Sequence, residues 1–271
     1  MFTIIGEKIN GSRRSVGAAI VERNAAFIAD LARRQAEAGS TWIDVNAGTP
    51  PEREADDLVW LVKTVQSAVE VPLSIDTPNP EALAAALRCT ERTPLINSIS
   101  AEPSRLESVL PLAAAGGCPV IALAMGGAGV PAGTDERLAI IGRVVAATRA
   151  AGIPDGNVYI DPLVTAIATD TRSAQVALGT MRAVRREFAE THLTSGLSNI
   201  SFGLPARSLV NRVYLALAME AGLDSAILDP LDRELRAVLV AAELLLGYDR
   251  NCLGYTRAYR AGLLEAPRPA S

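Results

Sequence analysis

Carboxylate and amide side chains stand at the ends of short apolar runs along this chain. Seven of eight such runs end in Asp, Glu or Asn, side chains that accept or donate hydrogen bonds and can hold a proton. In chain order they are Glu7 with Asn10, Asp44 with Asn46, Asp76, Asn97, Asp161, Asn199 and Asp229, and the fifth run ends at Met125. Any one of them could simply begin a turn or cap a helix. Their repetition favours a shared polar site.

The elements that would position these residues alternate regularly. The apolar runs cover 3–6, 42–46, 71–76, 94–100, 119–125, 158–163, 196–203 and 225–230, and amphipathic helical patterns follow them. Eight strand–helix units in 271 residues, with no linker between them, predict one (β/α)8 TIM barrel domain over 1–271, frayed after about 264. An open doubly wound sheet would normally carry a glycine-rich phosphate turn after its first strand, and Gly6 to Asn10 lacks that fingerprint. In a barrel, the carboxyl ends of the strands converge, so the polar residues would meet at one mouth.

Composition excludes several classes of protein. The net charge is −4 and no basic excess is present, which argues against nucleic acid or an anionic membrane surface as partner. No apolar run is long enough to span a bilayer, and Glu7 and Lys8 interrupt the first one, so we expect a cytoplasmic protein. Three isolated cysteines and a single histidine, His192, provide no metal-site spacing. We expect His192 on the surface near a helix end, which disfavours a histidine-dependent hydrolase.

The types of side chain at the strand ends narrow the ligand. Lys8 and Lys63 are the only lysines, so a Schiff-base lysine on a late strand is missing. A carboxylate can accept two parallel hydrogen bonds from an amidine-like edge, as it does from guanidinium. Asn offers a donor and an acceptor together. These properties indicate a barrel that binds a neutral nitrogen heterocycle, such as the 2-amino-4-oxo pyrimidine half of a pterin.

An ordered series of short motifs covers nearly the whole chain. It comprises Gly6-Glu7-Lys8-Ile9-Asn10, Trp42-Ile43-Asp44-Val45-Asn46-Ala47-Gly48, Ile75-Asp76-Thr77, Ile96-Asn97-Ser98, Ile160-Asp161-Pro162-Leu163, Gly196-Leu197-Ser198-Asn199-Ile200-Ser201 and Leu228-Asp229-Pro230. The series resembles that of pterin-binding barrel methyltransferases, in the branch that moves a methyl group between tetrahydrofolate and a corrinoid protein. Phe202 differs from the Gln of some acetogenic members and is more similar to the demethylation-system members.

The resemblance implies roles for individual residues. Asp76, Asn97 and Asp161 would hold the pterin ring of tetrahydrofolate or methyltetrahydrofolate, and Asn199 would act catalytically at N5. Gly196, Ser198 and Arg207 would complete the wall beside N5. Further contacts are expected from other residues near the strand ends, which are Glu7, Asn10, Asp44, Asn46, Met125, Ser201, Phe202 and Asp229.

The resemblance also implies partners. No Asp-x-His-x-x-Gly corrinoid-binding motif is present, so the cobalamin-type corrinoid would arrive on a separate corrinoid protein. Loops near Gly126 and Phe202 would form its docking rim. A homodimer is implied, and a helix around Val213 to Met219 that is apolar nearly all round fits a covered face.

Two other functions stay open at this point. A dihydropteroate synthase needs basic residues for pyrophosphate, and this chain offers only Arg13 and Arg14 after its first strand. A non-catalytic folate-binding or corrinoid-binding subunit would use the same polar strand ends without turnover.

Overall fold

The computed structural model describes residues 2–264, and in that range eight parallel strands form a single sheet curved into a barrel. Neighbours in sequence are neighbours in the sheet, and β8 lies against β1. The strands are β1 (Thr3–Asn10), β2 (Trp42–Asn46), β3 (Leu73–Asp76), β4 (Leu95–Ile99), β5 (Val120–Leu123), β6 (Val158–Asp161), β7 (His192–Leu193) and β8 (Ser225–Leu228). The predicted (β/α)8 TIM barrel is confirmed.

Ten α-helices surround this sheet in the described range. They are α1 (Arg14–Val21), α2 (Ala25–Glu37), α3 (Pro51–Gln66), α4 (Pro80–Leu87), α5 (Pro103–Gly116), α6 (Thr134–Ala150), α7 (Ser173–Glu187), α8 (Arg207–Glu220), α9 (Arg233–Leu245) and α10 (Leu253–Arg260). Local chemistry sets where several of them begin. The side chains of Asn24, Asn79 and Asp232 accept main-chain N–H groups at the starts of α2, α4 and α9. Proline occupies the first turn of α3, α4 and α5, where its missing N–H costs nothing.

The barrel closes between β7 and β8 through a few contacts. The Ile227 N–H donates to the Ser195 carbonyl at 2.9 Å, and the Ser225 hydroxyl donates to the Leu193 carbonyl at 2.9 Å. Strand β7 is short because the chain leaves the sheet after Ser195 and turns at Gly196. This closure places the 196–203 stretch at the carboxyl end of the barrel, beside β8.

Apolar side chains fill the barrel interior below that end. Ile5, Leu95, Ile121 and Tyr159 form a buried cluster, with Trp42, Leu123 and Ile227 packed against it. A second, larger apolar layer separates the outer faces of the strands from the helices. The interior is therefore a packed floor on which polar side chains at the mouth rest.

The sequence predictions differ from the structure at several elements. The 196–203 stretch was expected to end a strand, but residues Leu197–Ser201 form a 3-10 turn and the strand is His192–Leu193. His192 lies in that strand rather than beside a helix end, with its ring stacked on Tyr159 at 4.6 Å between centroids. Helices α1 and α10 were not predicted. The fraying expected after about 264 lies outside the described residues.

Candidate active site

Six inward positions at the carboxyl ends of the strands form a layer directly above the apolar floor. Each lies two residues after a member of the interior cluster, and side chains two apart on a strand face the same side. The pairs are Ile5 and Glu7, Trp42 and Asp44, Leu95 and Asn97, Leu123 and Met125, Tyr159 and Asp161, and Ile227 and Asp229. Strand geometry thus brings side chains distant in sequence to one mouth.

Polar side chains on β2, β3 and β4 form a carboxylate network of two hydrogen-bonded groups, which the neighbouring charges of Asp44 and Asp76 couple. The Ser74 hydroxyl donates to Asp44 Oδ1 at 2.7 Å, and Asn97 Nδ2 donates to the same oxygen at 3.1 Å. Asn46 Nδ2 donates to Asp76 Oδ2 at 2.9 Å. Because its nitrogen points to Asp44, Asn97 presents its carbonyl oxygen elsewhere, as an acceptor. The network fixes the orientation of every one of its members before any ligand binds.

Burial changes the titration of the carboxyl groups in this network. Loss of solvation raises the pKa of Asp44 well above its usual range, and the charge of Asp76 raises it further. Burial also raises the pKa of Asp76, opposed by the hydrogen bond from Asn46 and the charge of Arg105. Two neighbouring carboxyl groups with raised pKa favour a ligand edge that donates hydrogen bonds.

Asp161 stands on the opposite side of the mouth, at the end of β6. Its side chain is buried, and one oxygen, Oδ1, accepts the Leu163 N–H at 2.8 Å. Burial raises the pKa of Asp161 to about 6, although the Leu163 and Gly196 N–H groups and the charge of Arg137 act in the other direction. Asp161 therefore titrates close to neutral pH.

The segment from Gly196 to Arg207, here the 196–207 segment, forms the wall of the mouth on the β7 side. Hydrogen bonds from the Asn199 N–H to Gly196 and from the Phe202 N–H to Asn199, both 3.1 Å, close its 3-10 turn. The Asn199 side chain is exposed. A Cβ on Gly196 would stand 2.9 Å from Asn199 Nδ2, so the absence of a side chain there makes room for the Asn199 amide.

Arg207 holds this segment together from the start of α8. Its Nε donates to the Ser201 hydroxyl at 3.0 Å and its Nη2 donates to the Ser198 carbonyl at 2.8 Å. The guanidinium carbon lies 5.6 Å from the centroid of the Phe202 ring, whose side chain is 68% exposed. The wall thus combines a fixed backbone with an exposed aromatic ring.

Two ion pairs lie near the carboxyl ends of β1 and β8. Lys8 Nζ is 2.7 Å from Asp229 Oδ2, and Arg13 Nη2 is 2.9 Å from Glu7 Oε1. Burial raises the pKa of Glu7, and the charge of Arg13 opposes that rise. A cleft of about 270 Å³ opens here, and Ser198 and Arg207 lie on its other side. The cleft connects the polar layer to the 196–207 segment.

Comparison with known proteins assigns the chain to a family. The sequence profile described as pterin binding enzyme matches residues 8–229, which include all of the polar strand ends except Glu7. The chain belongs to this family. A methylcorrinoid:tetrahydrofolate methyltransferase of Eubacterium limosum is 41% identical over 261 residues, which are 96% of each chain. The chain therefore belongs to the methyltransferase branch of the pterin-binding enzymes.

More distant similarities agree with the fold. A methionine synthase of Mycobacterium tuberculosis is 28% identical over 83% of this chain, a stretch that makes up 20% of that protein. Among solved structures, dihydropteroate synthase of Yersinia pestis with a pterine-sulfa conjugate superimposes with a TM-score of 0.67 at 20% identity, covering 91% of this chain and 94% of that one. A dihydropteroate synthetase with product gives a TM-score of 0.68, also at 20% identity, over 90% of this chain and 94% of that one. At this identity the superpositions show a shared barrel only.

Most residues predicted for the pterin-binding site lie together at the mouth. Asp44, Asn46, Asp76 and Asn97 belong to the carboxylate network, and Asp161 faces them across the barrel. Gly196, Ser198, Asn199, Ser201, Phe202 and Arg207 belong to the 196–207 segment, and Glu7 and Asp229 line the cleft beside that segment. Their roles toward a ligand stay predictions.

Two of the predicted residues also take part in hydrogen bonds within the loops that follow their strands. Asn10 Oδ1 accepts the Ser12 N–H and hydroxyl, at 3.0 and 2.6 Å, and so stabilises the turn that follows β1. The main-chain carbonyl of Met125 accepts the Ala101 N–H at 2.9 Å, which ties the loop after β5 to the loop after β4.

Sequence reasoning missed three residues that support the side chains or loops of the mouth. Ser74 lies two positions before Asp76, and that alternation was a usable signal for an inward hydroxyl. Arg105 and Arg137 lie on helices, where nothing in the sequence separates them from other arginines. Both are drawn inward by main-chain carbonyl groups of the mouth loops, a contact that only the folded chain reveals.

Residues 2–264 contain neither a membrane-spanning helix nor a cluster of metal-binding side chains. No helix there combines the length and the apolar character that crossing a membrane requires. Groups of three or more His, Cys, Asp or Glu side chains arranged to hold a metal ion were not found in the same residues.

Proposed function

We propose that Asp76, Asn97 and Asp161 bind the pterin ring of tetrahydrofolate at the barrel mouth. The observation that carries the proposal is that one polar atom of each of these three side chains is hydrogen-bonded within the protein. Asn46 holds Asp76 Oδ2, Asp44 holds Asn97 Nδ2, and the Leu163 N–H holds Asp161 Oδ1. The remaining oxygen atoms of the three side chains are thereby oriented as acceptors for the N–H groups of a pterin.

The reaction follows from membership of the family. The protein is a methyltransferase that moves a methyl group between N5 of tetrahydrofolate and the cobalt of a corrinoid. In the direction from methyltetrahydrofolate, the N5–C bond breaks and its electron pair stays on nitrogen, while Co(I) supplies both electrons of the new Co–C bond. N5 takes up a proton, because a neutral tertiary amine is a poor leaving group.

Within this proposal, Asn199 assists the change of charge at N5. Its amide is exposed at the mouth beside Gly196, and an amide can donate a hydrogen bond that strengthens as the methyl group departs. Asn199 does not ionise, so it orients and stabilises while another group supplies the proton. Ser198 and Arg207 keep the backbone of this turn in place.

A separate corrinoid protein presents the cobalt over the mouth in this proposal. The exposed ring of Phe202, held by Arg207, and the loop that begins at Gly126 would meet it. We place the protein in the cytoplasm and treat residues 1–271 as one pterin-binding domain. Cell fractionation with a tagged chain tests the location.

Self-association is a second part of the proposal, and it is supported by one face of α8. Leu209, Val213 and Leu217 are spaced four residues apart on that helix and are 62%, 53% and 49% exposed. We propose that this stripe packs against a second copy. Val213→Glu combined with Leu217→Glu should yield a monomer by sedimentation, whereas Leu245→Glu, at another exposed apolar position, should not. A wild-type chain that sediments as a monomer at micromolar concentration would contradict the homodimer.

Anaerobic mixing with methyltetrahydrofolate and reduced cobalamin tests the proposed function. We expect Co(I) absorbance to decay as methyl-Co(III) appears, and calorimetry to show folate binding. Asp76→Ala and Asn97→Ala should lose folate binding, whereas Asp30→Asn, at an exposed position on α2, should not. Binding without transfer, even with a corrinoid protein present, would indicate a non-catalytic subunit. No binding to the wild-type protein would refute the pterin site.

A further inference from the structure

Two arginines, the buried Arg137 and the half-buried Arg105, lie behind the mouth, each with its guanidinium directed at main-chain carbonyl groups. Arg137 of α6 is 3% exposed, and its Nε donates to the Pro131 carbonyl at 2.9 Å. Its Nη1 donates to the Pro162 carbonyl at 2.8 Å and to the Leu163 carbonyl. Withdrawing a guanidinium from water is costly, so hydrogen bonds of this kind are what make its burial tolerable.

Arg105 of α5 makes the same kind of contacts on the other side of the mouth. Its Nε donates to the Ser98 carbonyl at 2.9 Å, and its Nη1 and Nη2 donate to the Pro78 and Thr77 carbonyls, both at 2.7 Å. Burial lowers the pKa of Arg105, and nearby acidic groups, Asp76 foremost, oppose that change. Two arginines on successive helices therefore bind the loops of the mouth in the same manner.

The positions of the acceptor carbonyls are informative. Thr77 directly follows Asp76, Ser98 directly follows Asn97, and Pro162 directly follows Asp161. The two arginines thus donate hydrogen bonds to the main-chain carbonyl one residue beyond each of the three side chains assigned to the pterin ring. A general stabilising role would not require that coincidence at three separate strands.

Leu163 links Arg137 to Asp161 most directly. Its φ of +61° lies in the left-handed region, which is unfavourable for a residue with a Cβ. Arg137 donates a hydrogen bond to the carbonyl of Leu163, and the main-chain N–H of Leu163 donates to Asp161 Oδ1 at 2.8 Å. The guanidinium therefore stabilises the left-handed conformation of Leu163, and in this conformation the Leu163 N–H orients the Asp161 carboxylate.

We propose that Arg105 and Arg137 are positioning residues that fix the orientation of Asp76, Asn97 and Asp161 through the main chain immediately after them. The proposal rests on the pterin-binding function proposed above. The planar fork of arginine reaches three carbonyl groups in different directions, which a lysine ammonium cannot reproduce. The same positive charges also favour the ionised carboxylates, because Arg105 lowers the pKa of Asp76 and Arg137 lowers that of Asp161.

Two substitutions separate geometry from charge at Arg137. Arg137→Lys keeps the charge and loses the fork, and Arg137→Gln loses both. We expect each to weaken binding of methyltetrahydrofolate about tenfold or more in calorimetry, since the carboxylate is no longer held. Arg143→Lys and Arg143→Gln, at an exposed position on the same helix, should bind as the wild type does. Thermal unfolding of each variant identifies the temperature at which all are folded, and binding is measured there.

The pH at which Asp161 titrates provides a readout that loss of packing alone would not move. The groups facing this carboxyl are Arg137 from α6, Tyr214 from α8, and the N–H groups of Leu163 and Gly196. In the ligand-free protein, carboxyl carbon NMR should show the midpoint of Asp161 moving to higher pH in Arg137→Gln and staying nearer the wild-type value in Arg137→Lys.

The outcomes separate the two proposals. A folded Arg137 variant with unchanged folate affinity and an unchanged Asp161 midpoint would overturn the positioning role. A wild-type protein that binds no folate would refute the pterin function, yet the NMR midpoint would still report whether Arg137 acts on Asp161. Arg105→Lys provides an independent test, and we expect it to lower folate affinity about tenfold. An unchanged affinity would contradict the positioning role of Arg105.

Discussion

The carboxylate network on β2–β4 and the 196–207 segment face each other across one mouth, but they are constructed differently. In the network, side chains bond to side chains, and Asp44 and Asn97 are buried. In the segment, Arg207 binds a hydroxyl and a main-chain carbonyl, and Asn199 and Phe202 are exposed. The first region is oriented before a ligand arrives, and the second presents side chains that are free to respond.

This difference matches the two tasks of a methyl transfer. The pterin ring keeps the same shape throughout, so a rigid, pre-oriented set of acceptors suits it. N5 changes its bonding and its charge, and the cobalt must approach it from outside. The exposed Asn199 amide beside Gly196, together with the exposed ring of Phe202, suits the approach of the cobalt to N5. Substitutions in the network should therefore affect binding, and substitutions in the segment should affect rate or docking.

Asn199→Ala should have the largest effect on turnover. Removing a donor that acts on developing charge typically lowers the rate by about 10²–10³-fold, whereas affinity for the folate ground state should change by less than about threefold. Single-turnover decay of Co(I) absorbance measures the rate, and calorimetry measures the affinity. Equal losses of rate and affinity would contradict the division between the two regions, because Asn199 would then be a binding residue.

Asp161→Asn should weaken folate binding strongly without abolishing it. The amide of Asn has an NH2 group in place of one carboxylate oxygen, and this donor would face either the Leu163 N–H or an N–H of the pterin. We therefore expect folate affinity to fall by about 100-fold at pH 7.5. For the wild type, affinity should decrease as the pH falls through about 6, where Asp161 becomes protonated. Calorimetry between pH 5 and 8 checks both statements. A flat pH profile for the wild type would exclude Asp161 as the ionised acceptor.

The same substitution should stabilise the ligand-free protein. The pKa of Asp161 is raised from 3.8 to about 6 on folding, so the folded state holds the proton more tightly than the unfolded state does. That contribution to stability is present below about pH 4 and is lost as the pH rises to about 6. The change corresponds to a loss on the order of 3 kcal/mol. Asp161→Asn cannot ionise and so does not lose this stability. In denaturant titrations, the free energy of unfolding of the variant should exceed that of the wild type by more at pH 8 than at pH 4.5.

The two regions also differ in how far their structure could be predicted from the sequence. Alternation along a strand is a local property, so Asp44, Asp76, Asn97 and Asp161 could be placed at the mouth without coordinates. The 196–203 stretch was misread as the end of a strand. Its turn depends on Gly196 leaving the sheet and on contacts from Arg207, and neither leaves a periodic signal in the sequence.

The helices show the same limit. Helix α2 was predicted because its apolar spacing is regular and Gly39 follows it, whereas the short helices α1 and α10 have weaker signals and were missed. Arg105 and Arg137 resemble surface arginines in the sequence. Their inward position is decided by carbonyl groups on loops distant in the chain, so it depends on tertiary structure alone.

Gly196→Ala tests whether Asn199 depends on its neighbour. The added Cβ would stand 2.9 Å from Asn199 Nδ2, so the amide must move. We expect a rate about tenfold lower with little change in folate affinity, a weaker form of the Asn199→Ala result. Gly156→Ala, where an added Cβ meets nothing within 4 Å, is the matched control. An unchanged rate in Gly196→Ala would show that the position of the Asn199 amide is not critical.

Phe202→Ala should have the smallest effect, and only with a protein partner. The ring is exposed and contacts Arg207 from outside the mouth, so folate binding and transfer to free cobalamin should stay within about twofold of wild type. With cobalamin carried on a corrinoid protein, the loss of an exposed aromatic ring at the interface should raise the KM for that protein by about fivefold or more. A steady-state comparison of free and protein-bound cobalamin measures the difference. Equal effects on both would place Phe202 in the folate site and shift the boundary between the two regions to include it.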